Sequence, residues 1–362
     1  MGQDKLSLVH RIRYPAPDTH QGPPVDAVRG TMLCQLNPHA NDALLTFDEP
    51  SHTYTHALDN TPVRTSVTGL IRDWFSNFDG PAIVHRQFGA WLKDPNGRYC
   101  ALLEYMTLVQ KLSQEDAEKQ VLALWKVKGE LAAAKGTAVH QELEDYYNGT
   151  LPTPTPGTKP PNAVLSWLTA MEWWNVEYKL QPWRSEFKMV LTATDDDGQD
   201  FAVVAGCADM LLRDCNGGYW LLDWKNVAPK DGALLGQRKA PASKFQHITM
   251  CNAPFDSEPC DKYTQFSVQT LIYAYILRKQ YGLPIVSVNL VQFHESMPGK
   301  CHIVPAADLA EAVDVFMDLQ IAIAQKERRL AKAEKEGREP TVEELAAVAV
   351  KWQAGFITDL DF

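Results

Sequence analysis

The stretch that most constrains this chain lies between residues 187 and 226, where apolar and polar residues take on the period of two that belongs to extended strands. Phe187 to Thr194, Phe201 to Arg213 and Tyr219 to Asn226 read as three consecutive antiparallel strands. Asp195-Asp196-Asp197-Gly198 and Asn216-Gly217-Gly218 supply the turns, so the triple aspartate reads as turn chemistry and not as a metal cluster. A meander of this kind needs a layer to cover its apolar face. Helical patterns on either side provide one. Residues 113–147 open at Ser113 with Asp116 as a capping-box variant, and Gly129 and Gly136 are candidate interruptions. Residues 163–178 carry Trp167, Met171, Trp174 and Tyr178 at core spacing. An aromatic-rich helix over 263–280, a strand over Pro284–Phe293 and a charged helix over 306–336 follow. The order predicts an α/β (α+β) fold with helices flanking a central mixed sheet.

Upstream, Phe47 to Val67 reads as a hairpin with a turn at Asp59-Asn60, leading into a helix capped by Ser66. The proline-rich run 150–161 reads as an extended connector. Three parts result: an irregular arm over 1–44, the main domain over 45–305 and a helical extension over 306–362. Seven cysteines without a C-x-x-C pair suggest neither a disulfide framework nor a zinc ribbon. No apolar run long enough to span a membrane and no leader pattern is visible, so an intracellular, non-secreted protein without membrane partners is expected.

Chemistry concentrates on the second and third strands, at Gly206-Cys207-Ala208-Asp209 and Asp223-Trp224-Lys225. Alternate strand residues share a face, so Asp223 and Lys225 point the same way. A three-residue loop at 216–218 would pair residue 215 with Tyr219, placing Asp209 opposite Lys225 and residue 211 opposite Asp223. Cross-strand Cβ atoms lie about 5 Å apart, close enough for two carboxylates to share a hard divalent cation with the ammonium beside it. Asp223 sits within Tyr-Trp-Leu-Leu-Asp-Trp-Lys, a strand of the kind that is buried, where an unpaired charge is costly. Two helical motifs join these. In Gly136-x-x-x-His140-x-x-x-Glu144 the imidazole and carboxylate lie on one helical face, and Gln265, Gln269 and Tyr273 form a polar stripe on an apolar, aromatic helix.

Singly, each motif is common. In order and spacing, G-x-x-x-H-x-x-x-E, Glu186, G-x-x-D, D-x-K and Q-x-x-x-Y resemble the RecB-like, Cas4-like exonuclease branch of the PD-(D/E)xK nuclease superfamily. The resemblance spans residues 45–305 and is nearest to single-domain nucleases of large DNA viruses and protists, which share an H-x-Y strand and S-V-T helix start like His52, Tyr54 and Ser66-Val67-Thr68. It implies a restriction-endonuclease-like core with Mg²⁺ or Mn²⁺ held by Asp209, Asp223 and His140, and also by the Trp224 main-chain carbonyl and Glu144. It further implies that Lys225 assists the nucleophilic water, that Gln269 and Tyr273 line the site, and that Glu186 and Gln265 support it. The implied substrate is DNA, single- or double-stranded, attacked at its ends in replication, repair or recombination, in cytoplasm, nucleus or virus factory. Relatives that carry an iron–sulfur cluster use three cysteines near the C-terminus; here the last cysteine is Cys301, so no cluster is expected.

No phosphate-binding loop, H-E-x-x-H or G-x-S-x-G motif is present, so no nucleotide cofactor is expected and any helicase or replication partner would be a separate chain. The alternative is an inactive nucleic-acid-binding or assembly protein that keeps the fold. The net charge of -10 argues against coating nucleic acid by bulk positive charge. Residues 224–248, however, hold Lys225, Lys230, Arg238, Lys239 and Lys244 against Asp231, which localises the expected phosphate contacts there.

Overall fold

A computed structural model of the chain describes residues 32–75, 79–149, 162–229, 233–237 and 250–341. The chain divides into two compact units, one made of residues 1–75 and 140–362 and the other of residues 76–139.

The larger unit is built on a five-stranded sheet of β4 (Gln181–Thr194), β5 (Asp200–Arg213), β6 (Tyr219–Asn226), β7 (Ile285–Phe293) and β8 (His302–Pro305), in that spatial order. All neighbours are antiparallel except β6 and β7, which run parallel. A parallel pair needs a crossover, and α7 (Lys262–Lys279) lies in that connection. The fold is therefore mixed α/β, with helices flanking a mixed sheet. The aromatic-rich α7 is buried along most of its length because it packs with α2 (Val67–Phe75) and α8 (Ala310–Lys335) in one core with β4, β5 and β6. Val313, Phe316 and Met317 of α8 lie inside that core, which makes the helix a layer of this unit and not an appendage. A second sheet of β1 (Leu45–Asp48), β2 (Thr53–His56) and β3 (Thr61–Pro62) precedes α2, whose first turn is capped by Ser66 Oγ accepting from Gly69 N–H at 3.0 Å.

Part of the expected arm is ordered by a buried arginine. Arg184 donates to both carboxylate oxygens of Asp42 (3.0 and 3.1 Å) and to the Asn37 carbonyl (2.8 Å), fixing α1 (Leu33–Leu36) and the 3₁₀ turn Ala40–Leu44 against β4. Residues 1–31, the connector 150–161, and Lys230, Arg238, Lys239 and Lys244 lie outside the described residues. The triple aspartate is a turn, and each carboxylate meets a cation of α8: Arg328 on Asp195, Arg329 on Asp196, Lys332 on Asp197. Among the described residues, no helix is long and apolar enough to cross a membrane.

The β5–β6 loop corrects the expected register. Arg213 pairs with Tyr219 and Met210 with Leu222, so the loop runs from Asp214 to Gly218. Asp214 closes it: Oδ1 accepts from the Asn216 and Gly218 N–H groups, both at 2.8 Å, and Gly217 takes φ 84°. Continuing that register sets Asp209 against Asp223 instead of Lys225.

The smaller unit contains α3 (Gly80–Leu92), capped by Asp79 with Pro81 in its first turn, then α4 (Cys100–Glu104), a π turn Tyr105–Val109, and the first part of α5 (Gln114–Tyr147). Val84, Phe88, Leu103, Met106, Ala117 and Val121 form its core. Ser113 caps α5 as expected, its Oγ accepting from Asp116 N–H at 3.1 Å. Gly129 and Gly136 do not interrupt α5; a glycine inside a helix costs about 1 kcal/mol against alanine without breaking it.

Candidate metal centre

His140, on the last turns of α5, reaches the sheet where β4, β5 and β6 run side by side. Its Nδ1 lies 3.5 Å from Asp209 Oδ1 and 3.7 Å from Glu186 Oε1. One ligand atom from each of His140, Glu186 and Asp209 falls within 4.8 Å of the others, a grouping suited to one cation. Glu186 joins it through an unusual backbone: its φ is 45°, left-handed for a residue inside a strand. Such a conformation costs of order 1 kcal/mol or more and persists where its surroundings hold it.

The Trp224 main chain binds two of these groups at once. Its N–H donates to Asp209 Oδ2 at 2.6 Å, and its carbonyl faces His140 Nε2 at 3.0 Å. With Nε2 on the Trp224 carbonyl, Nδ1 is the imidazole nitrogen that faces the carboxylates. The Trp224 indole is buried edge-on against Trp167, with centroids 4.9 Å apart, and Trp167 Nε1 donates to Tyr147 OH.

Asp223 and Lys225 lie on the same side of β6, as alternation requires, with Asp223 Oδ2 2.7 Å from Lys225 Nζ. The angles of this ion pair fall short of a hydrogen bond, which leaves the buried Asp223 Oδ2 without a hydrogen-bond partner. Lys225 Nζ instead donates to Gln269 Oε1 at 3.0 Å and sits 4.8 Å from the Phe266 ring centroid. Gln269 Nε2 contacts Tyr273 OH at 3.2 Å and Thr68 Oγ1 at 3.4 Å, so α2, α7 and β6 are tied at one point. Gly206 makes this possible. A Cβ there would stand 2.6 Å from Tyr273 Cε1 and 3.0 Å from Val67 Cγ2, closer than atoms tolerate.

The electrostatics follow from crowding acids in a buried place. Burial, then Asp223 and Glu186, push the Asp209 carboxyl above the usual range against the opposing pull of His140. Burial opposes the charged form of His140, but Asp209 and Glu186 outweigh it and the imidazole titrates at about 9. Burial also holds the Tyr273 hydroxyl well above its ordinary value, with Asp223 and Asp209 adding to it. The carboxylate oxygens and single imidazole nitrogen of His140, Glu186 and Asp209 form a donor set able to hold one cation.

The structure thus brings together His140, Glu186, Asp209, Asp223, Lys225, Gln269 and Tyr273. Glu144, one turn beyond His140, lies outside the three-donor group; burial raises its carboxyl, and Glu186 adds to that. Gln265 makes no hydrogen bond to Lys225, Gln269 or Tyr273. Trp167 is buried, as its core spacing implied, while Phe266 and Tyr147 were not singled out by the sequence, because an aromatic on a helix reads as core whichever face it serves.

No protein-family model matches this chain, and no curated protein matches it. Among solved structures, one titled "Crystal structure of SSO0001" is similar at 12% identity over 52% of this chain and 68% of that chain, with a TM-score of 0.20, a likeness too slight to bear on fold or function.

Proposed function

We propose that this chain is a divalent-metal-dependent DNA nuclease of the PD-(D/E)xK superfamily, RecB-like branch, acting on DNA ends as an exonuclease or end-processing enzyme. The observation that carries the reading is the convergence of His140, Glu186 and Asp209 with the Asp223–Lys225 pair, Asp209 and Asp223 being buried and Glu186 partly so. The motif order read from the sequence supports the same branch, and the five-stranded mixed sheet is compatible with a restriction-endonuclease-like core.

His140, Asp209, Asp223 and Glu186 would hold the cation, with the Trp224 carbonyl beside them. A bound divalent ion supplies Lewis-acid polarisation of a phosphoryl oxygen and lowers the pKa of water. Lys225 offers its ammonium to the charge that develops on phosphate and orients the attacking water. Gln269 holds Lys225 in place through Nζ, and Tyr273 supports Gln269 from below. Trp224 fixes Asp209 through its N–H, so the carboxylate keeps one oxygen toward the other acids.

The test is a digestion series on 5′- and 3′-labelled single strands, duplexes and a closed circle, with Mn²⁺ or EDTA. Cleavage of linear DNA that EDTA abolishes and Asp223→Asn lowers by about 10³-fold or more is expected. Equal turnover by wild type and Asp223→Asn overturns the assignment, and cutting of the circle overturns the preference for ends.

A further inference from the structure

Next to the carboxylates stands an aromatic cluster that the metal chemistry does not use. Phe47 of β1 and Tyr54 of β2 are cross-strand partners with ring centroids 4.5 Å apart, and the His52 ring lies 5.8 Å beyond Phe47. Phe47 and Tyr54 are only partly covered and His52 is exposed, so the rings form a short ladder open to solvent. Its inner end borders the carboxylate cluster: β2 packs on β5, and burial raises the Tyr54 hydroxyl with Cys207 and Glu186 adding to that. Cys207 Sγ lies 3.2 Å from Glu186 Oε2.

The ladder carries its own cation and its own rigid turn. Lys188 pairs with Cys207 across β4 and β5, is exposed, and places Nζ 5.3 Å from the Phe47 centroid. Ser51 N–H donates to Asp48 Oδ2 at 3.0 Å, and the Ser51 hydroxyl bonds to Asp48 and Thr53. That turn holds His52 at φ 49°, in the left-handed region that histidine enters more readily than most residues. Partly exposed rings, with the mobile Lys188 side chain over one of them and the His52 ring exposed, match a nucleobase with its phosphate alongside. Glu49, which also borders Tyr54, repels phosphate from the ladder itself and leaves the backbone to the Lys188 side. Bases within a duplex have both faces covered by their neighbours, so an unpaired base is the one with a face to offer.

We propose that Phe47, Tyr54 and His52, with Lys188, form a stacking subsite for an unpaired nucleobase of a single DNA strand whose phosphodiester enters the adjacent carboxylate cluster. The identity of the ligand rests on the nuclease reading. The subsite makes a single-stranded end the favoured substrate.

The experiment uses a short single strand carrying 2-aminopurine, with fluorescence quenching read in EDTA at protein concentrations high enough to populate the weaker metal-free complex, and cleavage kinetics read in Mn²⁺. Phe47→Leu keeps apolar volume and removes the π face, and His52→Ala alters an exposed residue. Wild type should quench the probe. Phe47→Leu should weaken binding and raise the single-strand KM by about 5- to 150-fold, the range of one base–aromatic stack. His52→Ala should give a smaller change in the same direction. Wild-type cleavage with an unchanged single-strand KM in both variants overturns the subsite and leaves the nuclease reading standing. Quenching lost in Phe47→Leu, with no metal-dependent cleavage by wild type, keeps the subsite and overturns the nuclease reading. Neither quenching nor cleavage by wild type overturns both.

Discussion

Gly206 shows how much one hydrogen atom decides. Tyr273 lies across it on the way to Gln269, and a methyl group at that position would overlap the ring. Gly206→Ala should therefore cost about 1–3 kcal/mol, the usual penalty for overpacking a filled core. Pairing it with Tyr273→Leu should recover part of that loss, a non-additivity that urea unfolding of the two single variants and the double variant will read. Gln269 tests the other end of the same chain. It touches no metal donor and works through Lys225, so Gln269→Ala should lower cleavage by about 10- to 100-fold, as loss of an orienting partner does, without lowering the melting temperature to match. That Asp223 and Lys225 share one face of their strand was legible from alternation, while their grouping with Asp209, Gln269 and Tyr273 was suggested only by the order and spacing of the motifs together. The place of Glu186 among the three donors was not legible, because it depends on a left-handed backbone at 45° that no residue type announces.

At the scale of elements, alternation and caps located β5 to β7, α5, the helix α6 (Asn162–Tyr178), α7 and α8 to within a few residues, while β4 begins at Gln181, well before the expected Phe187, and pairing depended on a detail outside the strands. Asp214 accepts two loop N–H groups and lengthens the β5–β6 connection, which exchanges the partner of Asp209. β8 and the helices of the smaller unit carried no comparable signal, being short or lacking a strong period. The turn Asp195–Asp197 was legible as a turn, while its three cations on α8 were not, since they come from more than a hundred residues away. These contacts predict how stability depends on acid. Arg328 and Arg329 hold the Asp195 and Asp196 carboxyls below their ordinary value of 3.8, so the unfolded chain takes up protons before the folded one does. Their contribution is accordingly complete above that value and fades as the pH falls through and below it. Arg328→Gln should flatten the acid side of a plot of melting temperature against pH between about 4 and 2, and added salt should shrink the difference from wild type. An acid limb unchanged in this variant would leave the turn-to-helix pairs without a role in stability.

For the whole molecule, two facts set expectations. Residues 76–139 have a core of their own, so this unit should open separately from the sheet. Leu103→Ala should destabilise it by about 2–5 kcal/mol, seen as faster hydrogen exchange in α3 and α4 with β5 and β6 still protected. The second fact is a net charge of -10, which first looks adverse for an enzyme of DNA. On the proposed reading, part of that acidity lies in Glu186, Asp209 and Asp223, where a bound cation would offset it. Strand binding should then be local and cation-dependent. Anisotropy with a short labelled strand should show affinity rising at least about 10-fold when Mn²⁺ replaces EDTA in an inactive Lys225→Ala chain. The slope of log affinity against log salt should be shallow, about -1 to -3, because only a few phosphates are neutralised. Tight binding in EDTA, or binding by Asp209→Ala that Mn²⁺ does not alter, would place the phosphate contacts away from the carboxylates and end the argument that the acids serve the substrate through a cation.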